Sequence, residues 1–222
     1  MNLIQRAIAK GGKLAPLIIG HDPSTGTGLM NPSIYVDNDE ILVNLRKVNY
    51  TLYHSENKQK FPCPFGPLSY LHPEKDQHLR TTNFLLRLDN ELNVVNDTEV
   101  EMLELHTPIW TFVGLEDARL VKWDGTYYLI GVRRDTTTNG QGRMEYSQIE
   151  IDRGAWKVKE VSRLRIPAPG ADDTYCEKNW MPVLDKPYHF VKWSMPTEVV
   201  WANPEQPETK VVVLNQTPPA PR

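Results

Sequence analysis

The sequence lacks the marks of several large protein classes. Its 222 residues contain two cysteines, Cys63 and Cys176, and no Cys-x-x-Cys spacing, which excludes a zinc ribbon and a thioredoxin-like motif. No apolar run approaches the ~18 residues of a membrane helix, and the N-terminus lacks the pattern of a secretory signal. We therefore expect a cytoplasmic protein with no membrane partner.

No charge of one sign dominates the chain. The 25 Lys and Arg residues against 28 Asp and Glu residues leave a net charge of −3, which gives no support for a nucleic-acid partner. The six histidines show no metal-ligand spacing, and the polar loop at 20–30 lacks the Gly-Lys-Ser/Thr end of a phosphate-binding loop. We expect no bound metal and no nucleotide.

Turn residues and strand formers are abundant instead. Eighteen prolines and thirteen glycines are spread among many Val, Thr, Tyr and Trp residues, and long helical patterns are absent, which predicts an all-β protein. One or two helical turns are expected before Gly11-Gly12, and an irregular proline-rich stretch at about 55–77. Strands are predicted at 31–36, 40–46, 81–88, 92–104, 116–123, 126–133, 143–151, 156–164, 178–184, 188–193, 198–201 and 210–214.

These strands group into three similar units at 31–105, 116–166 and 178–216, between an N-terminal segment (1–30) and a proline-rich tail (217–222). A repeat of four antiparallel strands is typical of a β-propeller blade. Propellers usually have ~4–8 blades, so we expect an incomplete ring whose open blade edges favour self-association. A β-sandwich of three units is the alternative.

The stretch from Gly114 to Leu120 concentrates charge at the start of a predicted hairpin. It contains Glu116, Asp117 and Arg119, and such charges are costly to bury unless they are paired. Because neighbouring residues of a strand point to opposite faces, we expect only one of the two acids to face a central channel, and we favour Asp117. The alternative is a structural acid–arginine pair between blades.

Four short motifs resemble the five-bladed β-propeller glycosidases and glycoside phosphorylases, above all the mannoside phosphorylase and hydrolase family. They are Asn31-Pro32-Ser33, Leu45-Arg46 with Asn49-Tyr50, Gly114–Leu120 and Glu177–Pro182. That family has a Glu-Asp-Pro-Arg motif, in which Ala118 stands here in place of proline. The resemblance implies a sugar site in the channel, with Asp117 as general acid and Arg46 and Arg119 orienting the substrate. It implies no cofactor, with inorganic phosphate as a possible co-substrate.

Glycoside cleavage also needs a second group on the opposite face of the sugar ring. Glu177 is the best second carboxylate by position, although a solvated loop acid fits it equally well; Asp172 and Asp173 rank below it. Phosphorolysis would instead need a cluster of cations. Predicted phosphate-binding residues are Arg133, Arg134 and Lys192, and predicted substrate-binding residues are Asn31, Arg46, Asn49, Glu116, Arg119, Asn179 and Trp180.

The sequence thus predicts a carbohydrate-active enzyme that cleaves β-mannosides or related glycosides by phosphorolysis or hydrolysis. A non-catalytic carbohydrate-binding or scaffold module is the alternative. Trp180 and Trp193 are candidate platforms for sugar stacking, although tryptophans in propellers more often pack between blades.

Overall fold

The structure, a computed structural model, describes residues 1–14, 19, 28–53, 61–62, 69–71, 78–103, 108–137, 140–169 and 176–215. Predictions for the loop at 20–27, for Cys63, for Asp172 and Asp173 and for the tail at 217–222 lie outside these residues. The described part is nearly all-β, as predicted. None of its helices has the length and apolar character to cross a membrane.

Helix α1 (Leu3–Ala9) is the short N-terminal helix that the sequence predicts. Asn2 caps it, and Gln5 completes the capping box by bonding back to the Asn2 backbone. The strands are β1 (Gly28–Asp37), β2 (Glu40–Val48), β3 (Thr51–Tyr53), β4 (Phe61–Pro62), β5 (Ser69–Leu71), β6 (Leu79–Leu88), β7 (Val94–Glu101), β8 (Phe112–Val113), β9 (Glu116–Trp123), β10 (Thr126–Arg133), β11 (Arg143–Asp152), β12 (Lys157–Arg165), β13 (Met181–Pro182), β14 (His189–Ser194), β15 (Thr197–Trp201) and β16 (Lys210–Asn215).

The predicted strands are confirmed in place, with two differences. The strand expected at 178–184 is reduced to β13. The stretch expected to be irregular contains β4 and β5, and β5 pairs with both β3 and β4 in a small sheet. Short strands with prolines among them carry little alternation, so the sequence pattern did not reveal them.

Three groups of four strands carry the fold. The first unit is β1-β2-β6-β7, the second is β9-β10-β11-β12 and the third is β13-β14-β15-β16, each antiparallel in its internal pairing. A short parallel pairing of β7 with β12 joins the first two units. Their eight strands form a nearly closed, barrel-like sheet, since β1 also lies against β9.

Two apolar cores lie on opposite faces of the second unit. One packs Leu120 and Leu129 against Leu42 and Leu85 of the first unit, and the other packs Trp123 against Phe190 of the third unit. Strand β10 is accordingly buried along almost its whole length. The second unit, which contains the charged motif, is therefore the rigid middle layer of the described fold.

The three units begin with the same unusual backbone. Asn31, Asp117 and Asn179 all have positive φ angles, of 49°, 52° and 63°. Asn and Asp adopt this left-handed conformation more readily than other non-glycine residues. The register of β1 against β2 shifts between Met30 and Ser33, and that of β9 against β10 shifts between Ile130 and Val132. Each shift redirects the side chains at the head of its unit.

Candidate functional site

The head of the second unit is held by one buried arginine from the first. Arg46 Nη1 lies 2.7 Å from Asp117 Oδ1, and Arg46 Nη2 lies 3.4 Å from Glu116 Oε2. The same guanidinium donates to the hydroxyls of Tyr50, at 2.7 Å, and Thr81, at 3.2 Å. These contacts fix the guanidinium, so the two acids meet a cation whose position is set before any ligand binds.

Glu116 and Asp117 form the acid–arginine pair between units that the sequence left as the alternative, whereas which acid faces a central channel stays a prediction. Both carboxylates contact Arg46, although the residues are neighbours on β9. Alternation fails here because Asp117 has a left-handed backbone and the β9–β10 register shifts beside it.

Asp117 is held through only one of its two oxygens. Oδ1 accepts from Arg46 Nη1 and, at 2.5 Å, from Asn31 Nδ2. Among the described residues no donor contacts Oδ2, and the side chain is 30% exposed. A carboxylate with one fixed oxygen and one open oxygen can exchange a hydrogen bond or a proton with a ligand without turning.

Glu116 is the more buried of the two acids in this site. Burial raises the pKa of Glu116, an effect that the charges of Arg46 and Arg134 partly offset and that of Asp117 reinforces. Arg134 Nε lies 3.8 Å from Glu116 Oε1, and Lys178 also acts on this carboxylate through its charge. Three cations thus surround two acids, so the site has a positive excess when both acids are ionised.

Sequence reasoning missed Lys178 and Thr81. Lys178 stands between Glu177 and Asn179, and its position at the head of the third unit was a usable signal. Thr81 had no such signal, because only the pairing of β2 with β6 brings its hydroxyl to Arg46.

Glu177 belongs to a separate cluster. Its Oε2 accepts from the indole of Trp180 at 2.9 Å, and its Oε1 lies 3.0 Å from Lys192 Nζ. Lys192 also lies 3.7 Å from Glu198. Glu177 and Lys192 are both at least nine-tenths buried, so this cluster forms part of the interior of the third unit.

Trp180 packs in the core rather than on an open surface. It is 1% exposed, with Phe190 5.7 Å from its ring centre. This arrangement is the one expected if Trp180 packs between units. A contact of Trp180 with substrate stays a prediction from the sequence.

The remaining predicted residues are spread around the two clusters. Asn49 donates to His78 O and accepts from Arg80 N, which ties the end of β2 to the start of β6. Arg133 is buried and donates to Glu145. Asn179 is exposed, and half-buried Arg119 has no hydrogen-bond or ion-pair partner in the described part of the chain.

The structure therefore brings together Asn31, Arg46, Glu116, Asp117 and Arg134, and places Glu177 with Lys192 and Trp180. We compared the chain with family models, with curated proteins and with solved structures, and none of them matches it. Any function has to be argued from the site itself.

Proposed function

We propose that the protein is a carbohydrate-active enzyme that cleaves β-mannosides or related glycosides, with Asp117 as general acid and inorganic phosphate as the acceptor. The observation that carries this proposal is the one-sided anchoring of Asp117, whose Oδ1 is fixed by Arg46 and Asn31. The second oxygen, Oδ2, of this partly exposed side chain is then available to protonate a glycosidic oxygen.

The surrounding charges favour phosphate over water. Hydrolysis needs a second carboxylate to activate water or to attack the sugar. Glu177 is a poor candidate, since both of its oxygens are engaged by Trp180 and Lys192. Phosphorolysis needs cations instead, and Arg46, Arg134 and Lys178 all act on the Glu116 carboxylate beside Asp117.

A propeller arrangement is consistent with this proposal. The three four-stranded units pack face to face, as blades do, and each begins at a left-handed Asn or Asp. In such a ring the three heads would line the central channel, and Asn179 would lie across from Asn31. The first two units are joined in one nearly closed, barrel-like sheet through β7 and β12, and the number of blades is part of the proposal.

The short ion pair of Asp117 with Arg46 favours a second candidate function. A carboxylate and a guanidinium 2.7 Å apart can bind sugar hydroxyls with no proton transfer at all. In that case the protein is a carbohydrate-binding module.

The product formed in the presence of phosphate distinguishes these functions. The purified protein is incubated with β-1,4-mannobiose, with and without inorganic phosphate, and mannose 1-phosphate is followed by ³¹P NMR and free mannose by ¹H NMR. We expect mannose 1-phosphate only when phosphate is present. Free mannose formed equally fast without phosphate would show a hydrolase, and binding without turnover would show a binding module.

Asp124→Asn is a matched control for Asp117→Asn in this assay. Asp124 lies in the β9–β10 turn with a φ angle of 50°, so both changes place Asn in the same backbone conformation. Product formation should disappear with Asp117→Asn and persist with Asp124→Asn.

A further inference from the structure

The third unit has one packed face and one open face. Phe190 and Val200 lie on the packed face, where both are fully buried in the core shared with the second unit. Because side chains alternate between the two faces of a sheet, their neighbours Val191 and Val199 point the other way. Four residues that stand opposite one another across the strands form a row on this second side, which we call the outer face: Met181, Val191, Val199 and Val213.

The outer face is apolar and only partly covered. Met181 and Val213, at the two edges of the row, are 54% and 46% exposed, and the two central valines are half-buried. Trp201 adds a half-buried indole on the same side, two residues after Val199, and Lys210 stands opposite it with Nζ 5.7 Å from the ring centre. An uncharged row beside an aromatic ring, with a cation at the periphery, has the composition of an interface core.

The corresponding face at the other end of the fold is covered. Leu42 and Leu85 of the first unit face the second unit, so their neighbours Val43 and Leu86, on the central strands β2 and β6, point away from it. Val43 and Leu86 are 1% and 0% exposed, and Ile19 packs against their cluster. In the described part of the chain, the outward residues of central strands are therefore buried in the first unit and partly open in the third.

The packing of the units indicates what covers the outer face. Within the chain, the two apolar cores join the face of one four-stranded sheet to the face of the next, and the outer face continues this stacking. A head-to-tail contact with another copy would need the far face of the first unit, which the chain itself already covers. The outer face of a second copy has the same uncharged row, so the two can meet about a two-fold axis and close after two copies.

We propose that the outer face is the contact surface of a symmetric dimer, in which the rows from Met181 to Val213 of two copies pack on each other. The partner is a second copy of this chain. The outer face lies on a different unit from Asp117, so the dimer does not depend on the proposed catalytic function.

The edge strand β16 offers another route to self-association, which the sequence suggested. All six of its side chains are exposed, and an edge strand can pair with another chain through its backbone. Val211 and Val213 distinguish the two routes, since they are 47% and 46% exposed on the same strand. Val211 stands opposite the buried Val200, whereas Val213 stands opposite Val199 of the outer face. The two valines therefore point to opposite sides of the sheet.

Sedimentation equilibrium of the purified chain, over concentrations from low micromolar to several hundred micromolar, tests the dimer. We expect the wild type to shift from monomer to dimer as the concentration rises. Val213→Glu should raise the dissociation constant at least about ten-fold, because the two-fold axis places its unpaired carboxylate in the contact twice. Val211→Glu is the matched control and should leave the dissociation constant unchanged.

Met181→Glu tests the same row should Val213→Glu fail to fold. Met181 lies on β13, at the opposite edge of the sheet, and more than half of it is exposed, so a glutamate there meets water in the monomer. We expect the dimer to weaken as it does with Val213→Glu.

A wild type that sediments as a monomer at every concentration would overturn the proposal, and so would a dimer that neither outer-face variant weakens. Equal weakening by Val211→Glu and Val213→Glu would place the contact at the β16 edge and overturn the outer-face dimer. Growth into larger assemblies would show a head-to-tail contact and contradict the two-fold axis. Asp117→Asn should leave the dissociation constant unchanged whatever it does to turnover, so the dimer and the proposed enzyme can fail separately.

Discussion

Asp117 and Glu177 stand at the heads of adjacent units, yet their surroundings differ. Asp117 is anchored through one oxygen by a neighbouring unit and is 30% exposed, whereas Glu177 is anchored through both oxygens inside its own unit and is buried. Two acidic residues at similar places are thus held in different ways. An ion pair that leaves an oxygen open suits ligand chemistry, and a closed buried pair suits stability.

Asp117→Asn should produce the largest change, and it should act on turnover. A general acid contributes typically ~10²–10⁴-fold, so glycoside cleavage should fall by about that factor. Stability should change little, since Asn tolerates the left-handed backbone and Arg46 keeps Glu116 as a partner. Steady-state kinetics and urea unfolding measure the two effects, and unchanged turnover would exclude Asp117 as the acid.

Glu177→Ala should act on stability instead. Removing one partner of a buried ion pair costs about 3–5 kcal/mol, because the buried Lys192 loses the carboxylate at 3.0 Å and Glu198 lies farther away, at 3.7 Å. Urea unfolding measures this loss. The control is Glu150→Ala, whose ion pair with Lys159 is exposed and should contribute less than about 1 kcal/mol. Equal losses of unfolding free energy in the two variants would contradict a stabilising role for the buried Glu177–Lys192 pair.

Asn31→Gly should have a smaller effect on turnover. Glycine accepts the φ angle of 49°, so the substitution removes only the amide that holds Asp117 Oδ1. We expect kcat to fall about ten-fold, equivalent to ~1.4 kcal/mol, with KM little changed. Asn38→Gly is the matched control, in the β1–β2 turn at a φ angle of 55°. A fall of the same size in that control would place the effect in the backbone.

Glu116 should give the smallest effect, a change in the pH dependence of stability. Burial raises its pKa in the folded protein above the ordinary value of 4.5. Its favourable contribution is therefore complete below about pH 4.5 and is lost as the pH rises through the folded-state pKa. The wild type should lose stability relative to Glu116→Gln over that range. Urea unfolding between pH 4 and 8 measures the difference, and a gap that narrows with rising pH would contradict the assignment.

The main strands and part of the candidate site could be predicted from the sequence. Alternation located the main strands, and the repeated Asn or Asp at the head of each unit located Asn31, Asp117 and Asn179. The grouping of Arg46 with Asp117 followed from the motifs. These features are local, or they repeat, so the sequence pattern contains them.

The partners of the charged residues could not be predicted. Glu177 pairs with Lys192 because β14 places that lysine beside it, and Arg133 pairs with Glu145 through the β10–β11 register. The shared contact of Glu116 and Asp117 with Arg46 depends on a positive φ angle and a register shift. Such pairings depend on distances that tertiary structure sets, and a single sequence does not give these distances.

The dependence on the leaving group tests the central claim most directly. A general acid matters most when the departing oxygen is strongly basic. The rate of mannobiose cleavage should therefore fall ~10²–10⁴-fold in Asp117→Asn. With 2,4-dinitrophenyl β-mannoside, whose leaving group departs without a proton, the same variant should retain most of the wild-type rate. Equal losses on both substrates would contradict the role of Asp117 as the proton donor.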